Sequence, residues 1–381
     1  MLLIHDLAAL LPQLTDADVP RFCAWYDRYA PQLATIDAHC YGRLPEADRP
    51  RFLAWFLKRW AKIDLVNPVE RGLYASTIAR VKTEPREPVT VEGRPYLLRD
   101  FSSQGHPFAL AGYDWFLGVH DIQYDQYQHG DVTLTSGDVI IDAGAFIGDT
   151  AVFFHHLLGG RCQIHSFELL DENLALLVHN LVRNGVRDEQ VVLNQLALTN
   201  RSGDEIVVHP GASQGSTNIF GRTDGHRVQT ITLDDYVVAQ GLERVDFIKM
   251  DIEGAEVMAL EGARQTIRHF RPRLAICLYH KWDDVVTIPR AIEATGVPYT
   301  YRFKWVQLSD GWEAVLLASP LDAAAVPVER SPAEQRVGQA MIDALGVLAR
   351  GVLRASPTAG ATPRTATTPL PKPAAAEVSA A

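Results

Sequence analysis

The stretch Val139-Ile-Ile-Asp-Ala-Gly-Ala-Phe-Ile-Gly-Asp-Thr150 decides the fold. Its β-branched start predicts a buried strand, its glycines a tight turn, and Asp149 the beginning of a helix. A strand, a glycine turn and a helix N-terminus together form a cradle at the carboxyl edge of a parallel sheet. Gly144 lets the backbone approach a ligand closely, and Gly148 lets the helix pack near the strand.

The composition of this turn excludes two common phosphate-binding sites. Only Gly144 and Gly148 are present, so the turn lacks the three glycines of the dinucleotide pattern G-x-G-x-x-G. It also lacks the Gly-Lys-Ser/Thr of a phosphate loop. Asp142 precedes a single glycine, and a carboxylate there suits a ligand with a cationic amine better than one with a pyrophosphate.

Downstream of the turn, short β-branched runs alternate with helical ones. The predicted strands are 139–141, 163–167, 191–198, 245–250, 274–279, 299–303 and 312–318. One predicted helix begins at 149, and three others cover 171–184, 255–269 and 283–294. This alternation predicts an α/β fold, a parallel sheet with helices on both faces. The last two strands have no room for a helix between them, so we expect them to pair antiparallel.

Two acids follow strands of this predicted sheet. Glu168 ends the second strand about 20 residues beyond the glycine turn, where a carboxylate can accept both hydroxyls of a ribose. Asp251 follows the fourth strand and faces the crevice where the first and fourth strands part, the usual ligand site of open α/β sheets. The alternative is that such acids are solvated strand ends or, for Asp251, Glu253 and Glu256, caps of the following helix.

The rest of the chain divides by composition into four regions. Residues 1–130 are mainly helical and are a candidate lid, substrate or oligomerisation module. Their aromatic side chains at helical spacing predict core packing, and a short hairpin turns at Glu92-Gly93. Residues 131–320 hold the predicted sheet. Residues 321–354 contain an amphipathic helix over 333–353, a weak indication of a homodimer. Residues 355–381, rich in Ala, Pro and Thr, are predicted to be disordered.

Charge and cysteine content exclude several classes of protein. The 381 residues include 36 basic and 46 acidic side chains, a net charge of −10, which argues against binding to nucleic acid or an anionic membrane. Four scattered cysteines exclude a disulfide framework and a cysteine-rich zinc module. No run of about 20 apolar residues is present, and the N-terminus lacks the basic region of a secretory signal, so we expect a cytoplasmic protein.

Four strings of the sequence resemble the FkbM family of S-adenosylmethionine-dependent methyltransferases. They are Ile141-Asp-Ala-Gly-Ala-Phe-Ile-Gly-Asp-Thr150, Ser166-Phe-Glu168, Thr230-Ile-Thr-Leu-Asp-Asp-Tyr236 and Asp246-Phe-Ile-Lys-Met-Asp-Ile-Glu-Gly-Ala-Glu256. Tyr279-His-Lys and Gly311-Trp-Glu-Ala-Val-Leu-Leu-Ala are also similar to the end of that domain. The resemblance covers about 137–319. It departs from the family at Phe146, where Asn is usual, and at Leu169-Leu170, where Pro often follows the acid.

The resemblance implies a class I methyltransferase, Rossmann-like, with a seven-stranded mostly parallel sheet and S-adenosylmethionine as the cofactor. By that likeness Asp142, Gly144 and Gly148 lie along the methionine part, Glu168 holds the ribose and Ala197 lies near the adenine. The whole cofactor set on this basis is Asp142, Gly144, Ala145, Phe146, Gly148, Asp149, Thr150, Glu168, Ala197 and Asp251.

His280 is the preferred catalytic base, because it follows the fifth strand at the same carboxyl edge and an acceptor hydroxyl gains from a base during attack. Asp251 is the rival base, and a purely structural role for His280 stays open. Asp251, Glu253 and His280 also suit a hard divalent ion, although their spacing requires no metal. The predicted acceptor-side residues are Glu253, Ser213, Ser216, Asn218, Tyr113 and Lys281.

The sequence therefore predicts methyl transfer to an oxygen of a sugar or natural-product small molecule. The aromatic stretch 101–128 is a candidate lid, with Tyr113, Trp115 and Tyr124 facing the acceptor. Two alternatives remain: a domain that binds a nucleoside without catalysis and serves as a protein-interaction module, and a nicotinamide-dependent oxidoreductase.

Overall fold

The computed structural model describes residues 1–119, 125–210, 217–218 and 225–321. Tyr124, Ser213, Ser216, the predicted helix 333–353 and the predicted disordered tail 355–381 lie outside these residues. Among the helices of the described residues, none combines the length and the apolar character that crossing a bilayer requires.

The chain begins with five helices, two of which carry the predicted aromatic spacing. They are α1 (Leu2–Leu10), α2 (Val19–Tyr29), α3 (Leu33–His39), α4 (Arg49–Ala61) and α5 (Pro68–Val81). The side chain of Asn67 caps α5 by accepting a hydrogen bond from the Val69 amide at 2.8 Å, and Pro68 occupies the first helical position. The aromatic faces of α2 and α4 pack on each other, with the Trp25 and Phe56 ring centroids 4.9 Å apart.

A small antiparallel sheet follows, made of β1 (Glu87–Val91), β2 (Arg94–Asp100) and β3 (Ala109–Gly112). The predicted hairpin is confirmed: Glu92 and Gly93 both have positive φ, 46° and 78°, as a two-residue turn of the primed type requires. A short helix, α6 (Asp114–Leu117), leads away from this sheet.

The central sheet has seven strands and confirms the predicted fold class. Its strands are β4 (Val139–Ala143), β5 (Gln163–Phe167), β6 (Val191–Asn194), β11 (Phe247–Met250), β12 (Arg273–Cys277), β13 (Tyr299–Trp305) and β14 (Ala314–Pro320). They lie in the order β13-β14-β12-β11-β4-β5-β6. Only β14 runs antiparallel to its neighbours, as predicted for the last pair. The strand order reverses between β4 and β11, which opens a crevice at their carboxyl ends.

The helices on the faces of the sheet depart from the prediction in two ways: one helix, over Leu233–Gln240, was not predicted, and one predicted helix is divided. They are α7 (Asp149–Leu157), α8 (Asp171–Arg183), α9 (Leu233–Gln240), α10 (Glu256–Glu261), α11 (Arg264–Phe270) and α12 (Asp284–Glu293). The single helix expected over 255–269 is wrong, because it breaks at Gly262. A Cβ at Gly262 would lie 2.1 Å from the Thr199 carbonyl oxygen, so only glycine allows this contact between backbones.

A second correction concerns the strand predicted over 191–198. Strand β6 leaves the central sheet after Asn194, and β7 (Ala197–Leu198) joins a separate four-stranded sheet. Its other strands are β8 (Glu205–Pro210), β9 (Thr217–Asn218) and β10 (His226–Ile231). The reason is a second small apolar cluster, in which Ala197 packs with Leu170, Val208 and Val228. Burial in this cluster outweighs continuation of β6.

The N-terminal helices pack directly on the edge of the central sheet. The rings of Phe52 and Trp55 on α4 lie 5.1 and 5.2 Å from that of Phe303 on β13. Buried residues of the helices and of the sheet form one continuous apolar core. The role of residues 1–130 as a lid, substrate or oligomerisation module stays a prediction.

Candidate active site

The glycine turn after β4 lies tightly against the segment after β11. Gly144 has a φ of 82°, and a Cβ there would lie 1.9 Å from the Asp251 carbonyl oxygen. Phe146 also has a positive φ, 47°, an uncommon conformation for a bulky residue. A Cβ at Gly148 would meet Leu177 at 2.9 Å, so Gly148 allows contact with helix α8 rather than with the strand. The turn and residue 251 therefore form one unit at the crevice.

Beneath the turn lies a fully buried ion pair. Lys249 Nζ is 3.1 Å from Asp142 Oδ1 and donates a hydrogen bond of 2.6 Å to the Gly144 carbonyl. The exposed fractions of the two side chains are 2% and 0%. Burial lowers the pKa of Lys249, but the neighbouring carboxylates, Asp142 first, outweigh it and hold the pKa above its ordinary value. Asp142 thus supports the turn from below, and its predicted contact with the methionine part of a cofactor stays a prediction.

Glu168 ends β5 at the same edge, with its carboxylate held by the backbone. Its Oε1 accepts hydrogen bonds from the amides of Leu169 and Leu170, at 2.7 and 2.8 Å. Burial raises the pKa of Glu168 against these hydrogen bonds. Leu169 and Leu170 therefore both supply amide donors. A proline directly after the acid, which is frequent in the family, has no amide hydrogen and could not replace Leu169 in this role.

Around His280 the structure brings together the acids that follow β11. His280 Nε2 lies 3.3 Å from Asp251 Oδ1 and 3.9 Å from Glu253 Oε2, and Nδ1 lies 2.9 Å from Glu256 Oε1. Only 4% of the His280 side chain and 1% of that of Glu256 are exposed, against 34% for Glu253. We call Asp251, Glu253, Glu256 and His280 the acidic cluster.

Electrostatics within the acidic cluster favour a charged imidazole. Burial lowers the pKa of His280, but the carboxylates of Glu256 and Asp251 outweigh it and hold the pKa well above its ordinary value. Burial raises the pKa of Asp251, but the close contact with His280 and the charge of its imidazole outweigh burial and hold the pKa of Asp251 below its ordinary value. Burial raises the pKa of Glu253 to about 7. A protonated His280 has no free lone pair, which counts against its predicted service as a base.

Sequence reasoning missed three residues that complete this site. The hydroxyls of Tyr127 and Tyr279 donate to the two oxygens of Asp251, at 2.9 and 2.8 Å. The Tyr279 oxygen also lies 3.3 Å from Glu313 Oε2, and burial followed by the charge of Asp251 raises the pKa of Glu313. Glu313 and Tyr279 occur in strings that carry the family resemblance, whereas nothing in the sequence singles out Tyr127.

The loops that bear His280 and Glu313 are held by the N-terminal helices. Arg59 donates two hydrogen bonds to the Tyr279 carbonyl, at 3.0 and 2.7 Å, and its guanidinium lies 3.9 Å above the Trp312 ring. The indole of Trp55 donates to the Gly311 carbonyl at 2.8 Å. A Cβ at Gly311 would lie 2.8 Å from the Arg59 Cα, so glycine is required for this contact.

The part of the chain that carries this site matches one protein family. Residues 142–303 match the family model of the methyltransferase FkbM domain. No protein of curated function matches the chain significantly in sequence. Residues 142–303 are an FkbM methyltransferase domain.

Solved structures similar to the FkbM domain are distant. A methyltransferase FkbM from Methylobacillus flagellatus KT is 20% identical, with 54% of this chain and 55% of that chain aligned and a TM-score of 0.41. Aeropyrum pernix fibrillarin, crystallised with natively bound S-adenosyl-L-methionine, is 11% identical over 61% of this chain and 99% of its own, with a TM-score of 0.34. A precorrin-6y C5,15-methyltransferase from Geobacter metallireducens is 14% identical over 54% and 88%, with a TM-score of 0.31. This chain thus spans about half the length of the first of these proteins.

The residues of the FkbM domain fit S-adenosylmethionine, the methyl donor that the family implies. Gly144 brings the turn directly against the Asp251 backbone at the crevice, and the buried carboxylate of Glu168 stands at the strand end where a ribose is accepted. The acidic cluster provides negative charge beside the turn, which suits a cationic sulfonium. S-adenosylmethionine would supply an electrophilic methyl group at this edge, and the protein would supply its position and the surrounding charge.

The remaining predicted site residues lie at different depths. Ala145 and Thr150 are buried and Asp149 is half-buried at the start of α7. Ala197, on β7 of the four-stranded sheet, is buried in the second apolar cluster. The ammonium of Lys281 donates to the Gly254 carbonyl, so it holds the turn between Asp251 and Glu256. Asn218 is described only as part of β9.

An aromatic surface lies on the other side of the glycine turn. The Tyr113 ring stacks on Phe146, with centroids 5.8 Å apart, and on Trp115 at 6.4 Å. Tyr113 is buried and its hydroxyl contacts Asn173 Oδ1 at 3.2 Å, whereas Trp115 is 46% exposed. Of the predicted lid residues, Trp115 is therefore the one with a surface free for contact, among those that the structure describes.

Proposed function

We propose that this protein transfers a methyl group from S-adenosylmethionine to a hydroxyl oxygen of a sugar or natural-product small molecule. The observation that carries the proposal is the contact between the acidic cluster and the glycine turn, where the Asp251 backbone lies directly against Gly144. Proton-accepting side chains and the expected cofactor turn are thus adjacent. This placement suits an acceptor that must lose a proton as it is methylated.

The chemistry needs few groups from the protein. As the acceptor oxygen forms its bond to the methyl carbon, the carbon–sulfur bond breaks and its electron pair stays on sulfur. The hydroxyl proton leaves at the same time, and a carboxylate of the acidic cluster is placed to take it. Glu253 has the most exposed carboxylate of the three, so it faces an acceptor more directly than His280 or Asp251. Alignment of the acceptor behind the methyl group supplies most of the remaining rate enhancement.

The acceptor side is proposed to include Glu253 and the aromatic surface of Trp115 and Phe146. A sugar or a flat natural product presents apolar faces that pack on such rings. A small-molecule partner and a cytoplasmic location stay part of this proposal, as does the absence of a nucleic-acid partner, which the net charge of −10 favours.

Calorimetric titration with S-adenosylhomocysteine tests the cofactor. We expect saturable binding by the unchanged protein and a loss of about tenfold or more in Glu168→Ala, since hydrogen bonds to a charged group contribute about 1.5–3 kcal/mol. Glu189→Ala is the matched control, because Glu189 pairs with Arg187 on the surface. Binding of NAD in place of S-adenosylhomocysteine would contradict the proposal.

A panel of methyl glycosides and phenols, beside amines of the same skeletons, tests the acceptor. We expect mass spectrometry to detect methyl ethers of the hydroxyl compounds in the presence of S-adenosylmethionine. Methylation of the amines alone would replace the proposed oxygen acceptor with nitrogen.

A further inference from the structure

The acidic cluster has the arrangement of a metal site as well as that of a proton acceptor. One ligand atom each from Asp251, Glu256 and His280 lies within 4.8 Å of the others. Glu253 Oε2 approaches His280 Nε2 to 3.9 Å from the exposed side. Three carboxylates thus surround one imidazole, while the nearby Lys249 already pairs with Asp142. Negative charge is in excess at this point.

The orientation of the donors is the second observation. Both ring nitrogens of His280 and Oε2 of Glu256 are buried and make no hydrogen bond within the described part of the chain. Yet Oδ1 of Asp251 and Oε1 of Glu256 lie only 3.3 and 2.9 Å from those nitrogens. The oxygens are therefore near the nitrogens without lying along their N–H directions. The two ring nitrogens point away from each other, so one ion can bind only one of them. Nε2 has Asp251 Oδ1 and Glu253 Oε2 on its side and is the candidate ligand, whereas Glu256 Oε1 lies beside Nδ1 and orients the ring. Nε2 and Asp251 Oδ1 stand about as far apart as adjacent ligands of one octahedral ion.

The carboxylates of the cluster are also oriented by neighbouring donors. Tyr127 and Tyr279 donate to Asp251, and the Ile252 amide donates to Glu256 Oε1 at 2.9 Å. Hydrogen bonds of this kind fix ligands in established metal sites and leave further lone pairs on the oxygens. The Lys281 ammonium holds the Gly254 carbonyl and with it the turn that carries Glu253.

We propose that the acidic cluster binds one divalent cation of the Mg²⁺ and Mn²⁺ class, held by Asp251 and by Nε2 of His280, with Glu253 at the crevice side and Glu256 orienting the ring from Nδ1. Binding of the cation would displace the proton from Nε2, because histidine ligates a metal only through a lone pair. Carboxylate oxygens with a single imidazole suit Mn²⁺ among the first-row metals. The inference rests on the proposed function in one respect: the cation would bind the acceptor hydroxyl and lower its pKa, and the proton would leave to Glu253 or to water.

The test uses Mn²⁺ alone on the full chain after removal of metals with a chelator. Electron paramagnetic resonance of free Mn²⁺, with calorimetry, gives the number of sites and the affinity. We expect one site per chain and a 10- to 100-fold weaker affinity in Glu256→Gln and in Asp251→Asn. Glu261→Gln is the matched control, because Glu261 ends the same helix and bonds Asn200 outside the cluster.

Each outcome decides the matter. No saturable Mn²⁺ binding, or equal binding in Glu256→Gln, Asp251→Asn and the control, overturns the metal site and leaves the cluster as a proton acceptor. Circular dichroism of each variant excludes misfolding as the cause of lost binding. Titration with S-adenosylhomocysteine on the same samples separates the two proposals. Binding of Mn²⁺ but not of S-adenosylhomocysteine contradicts only the proposed function. Binding of S-adenosylhomocysteine but not of Mn²⁺ contradicts only the metal site.

Discussion

Two groups of charged side chains lie at the end of strand β11, two residues apart in the chain, and they differ in the balance of positive and negative charge. Lys249 and Asp142 form a closed pair of one positive and one negative charge, both fully buried. The acidic cluster around His280 has three carboxylates for one imidazole, and Glu253 opens to the crevice. The buried and balanced pair is thus a feature of the fold, whereas the unbalanced cluster with one exposed group is where we propose that a ligand binds.

The largest expected effect comes from breaking the closed pair. Lys249→Met leaves the Asp142 carboxylate buried without a counter-charge, so we expect a loss of about 3–5 kcal/mol in the free energy of unfolding. Urea unfolding followed by circular dichroism measures it. The double variant Asp142→Asn/Lys249→Met should recover most of the loss. A stable Lys249→Met protein would mean that the pair does not carry the fold.

A smaller effect on stability is expected where the N-terminal helices hold the loops beside the acidic cluster. Arg59→Met removes two hydrogen bonds to the Tyr279 carbonyl and the contact with the Trp312 ring, so we expect a loss of about 2 kcal/mol in unfolding free energy. Arg59 contacts the loop beside His280 and not the closed pair, so Mn²⁺ affinity should fall as well. Arg28→Met, also a charged residue of the helices, is the control. Unchanged metal affinity in Arg59→Met would show that the cluster does not depend on the helices.

The pH dependence of the free energy of unfolding tests the surroundings of the closed pair, through Asp149, which lies near Lys249 and Asp142. Burial raises the pKa of Asp149 from 3.8 to about 7, with Lys249 opposing and Asp142 adding to the shift. Between these values the folded protein keeps a proton that the unfolded chain releases, so stability falls as pH rises through this window. The slope is at most about 1.4 kcal/mol per pH unit. Asp149→Asn should flatten the part of the stability profile between pH 4 and 7, and an identical profile would contradict the shift.

The smallest effect on stability is expected within the acidic cluster. Glu256→Gln keeps an acceptor for the Ile252 amide and removes one of the excess negative charges. We therefore expect a change within about 1 kcal/mol in the free energy of unfolding, in contrast to Lys249→Met. The same urea titration measures it. A loss as large as that of Lys249→Met would erase the distinction between the two groups.

The fold was predictable because strand and helix signals alternate at regular spacing from Val139 onward. The same regularity placed Glu168, Asp251 and His280 at one edge of the sheet. It could not predict the break at Gly262 or the departure of β7 from the sheet, because both depend on contacts with residues far away in sequence. The metal and base assignments for the cluster depend on side-chain directions, which no spacing encodes.

The buried pairing of Lys249 could have been predicted from the sequence. A lysine between Ile248 and Met250, inside an apolar strand, needs a buried counter-charge, and Asp142 on the neighbouring predicted strand is the natural partner. That argument assigns Asp142 to Lys249 before any ligand is considered. Tyr127 carried no such signal, since its segment has no clear periodicity.

The contacts of the N-terminal helices with the far end of the chain have a consequence for biosynthesis. Tyr29 bonds the Trp282 carbonyl, and Trp55 bonds the Gly311 carbonyl, across 253 and 256 positions. During translation the helices leave the ribosome first, with the aromatic face that these partners will cover still exposed. The edge of the sheet that carries the candidate site is completed only when the last two strands emerge. We therefore expect a nascent chain stalled before residue 311 to expose this aromatic face and to bind chaperones more than the full chain does.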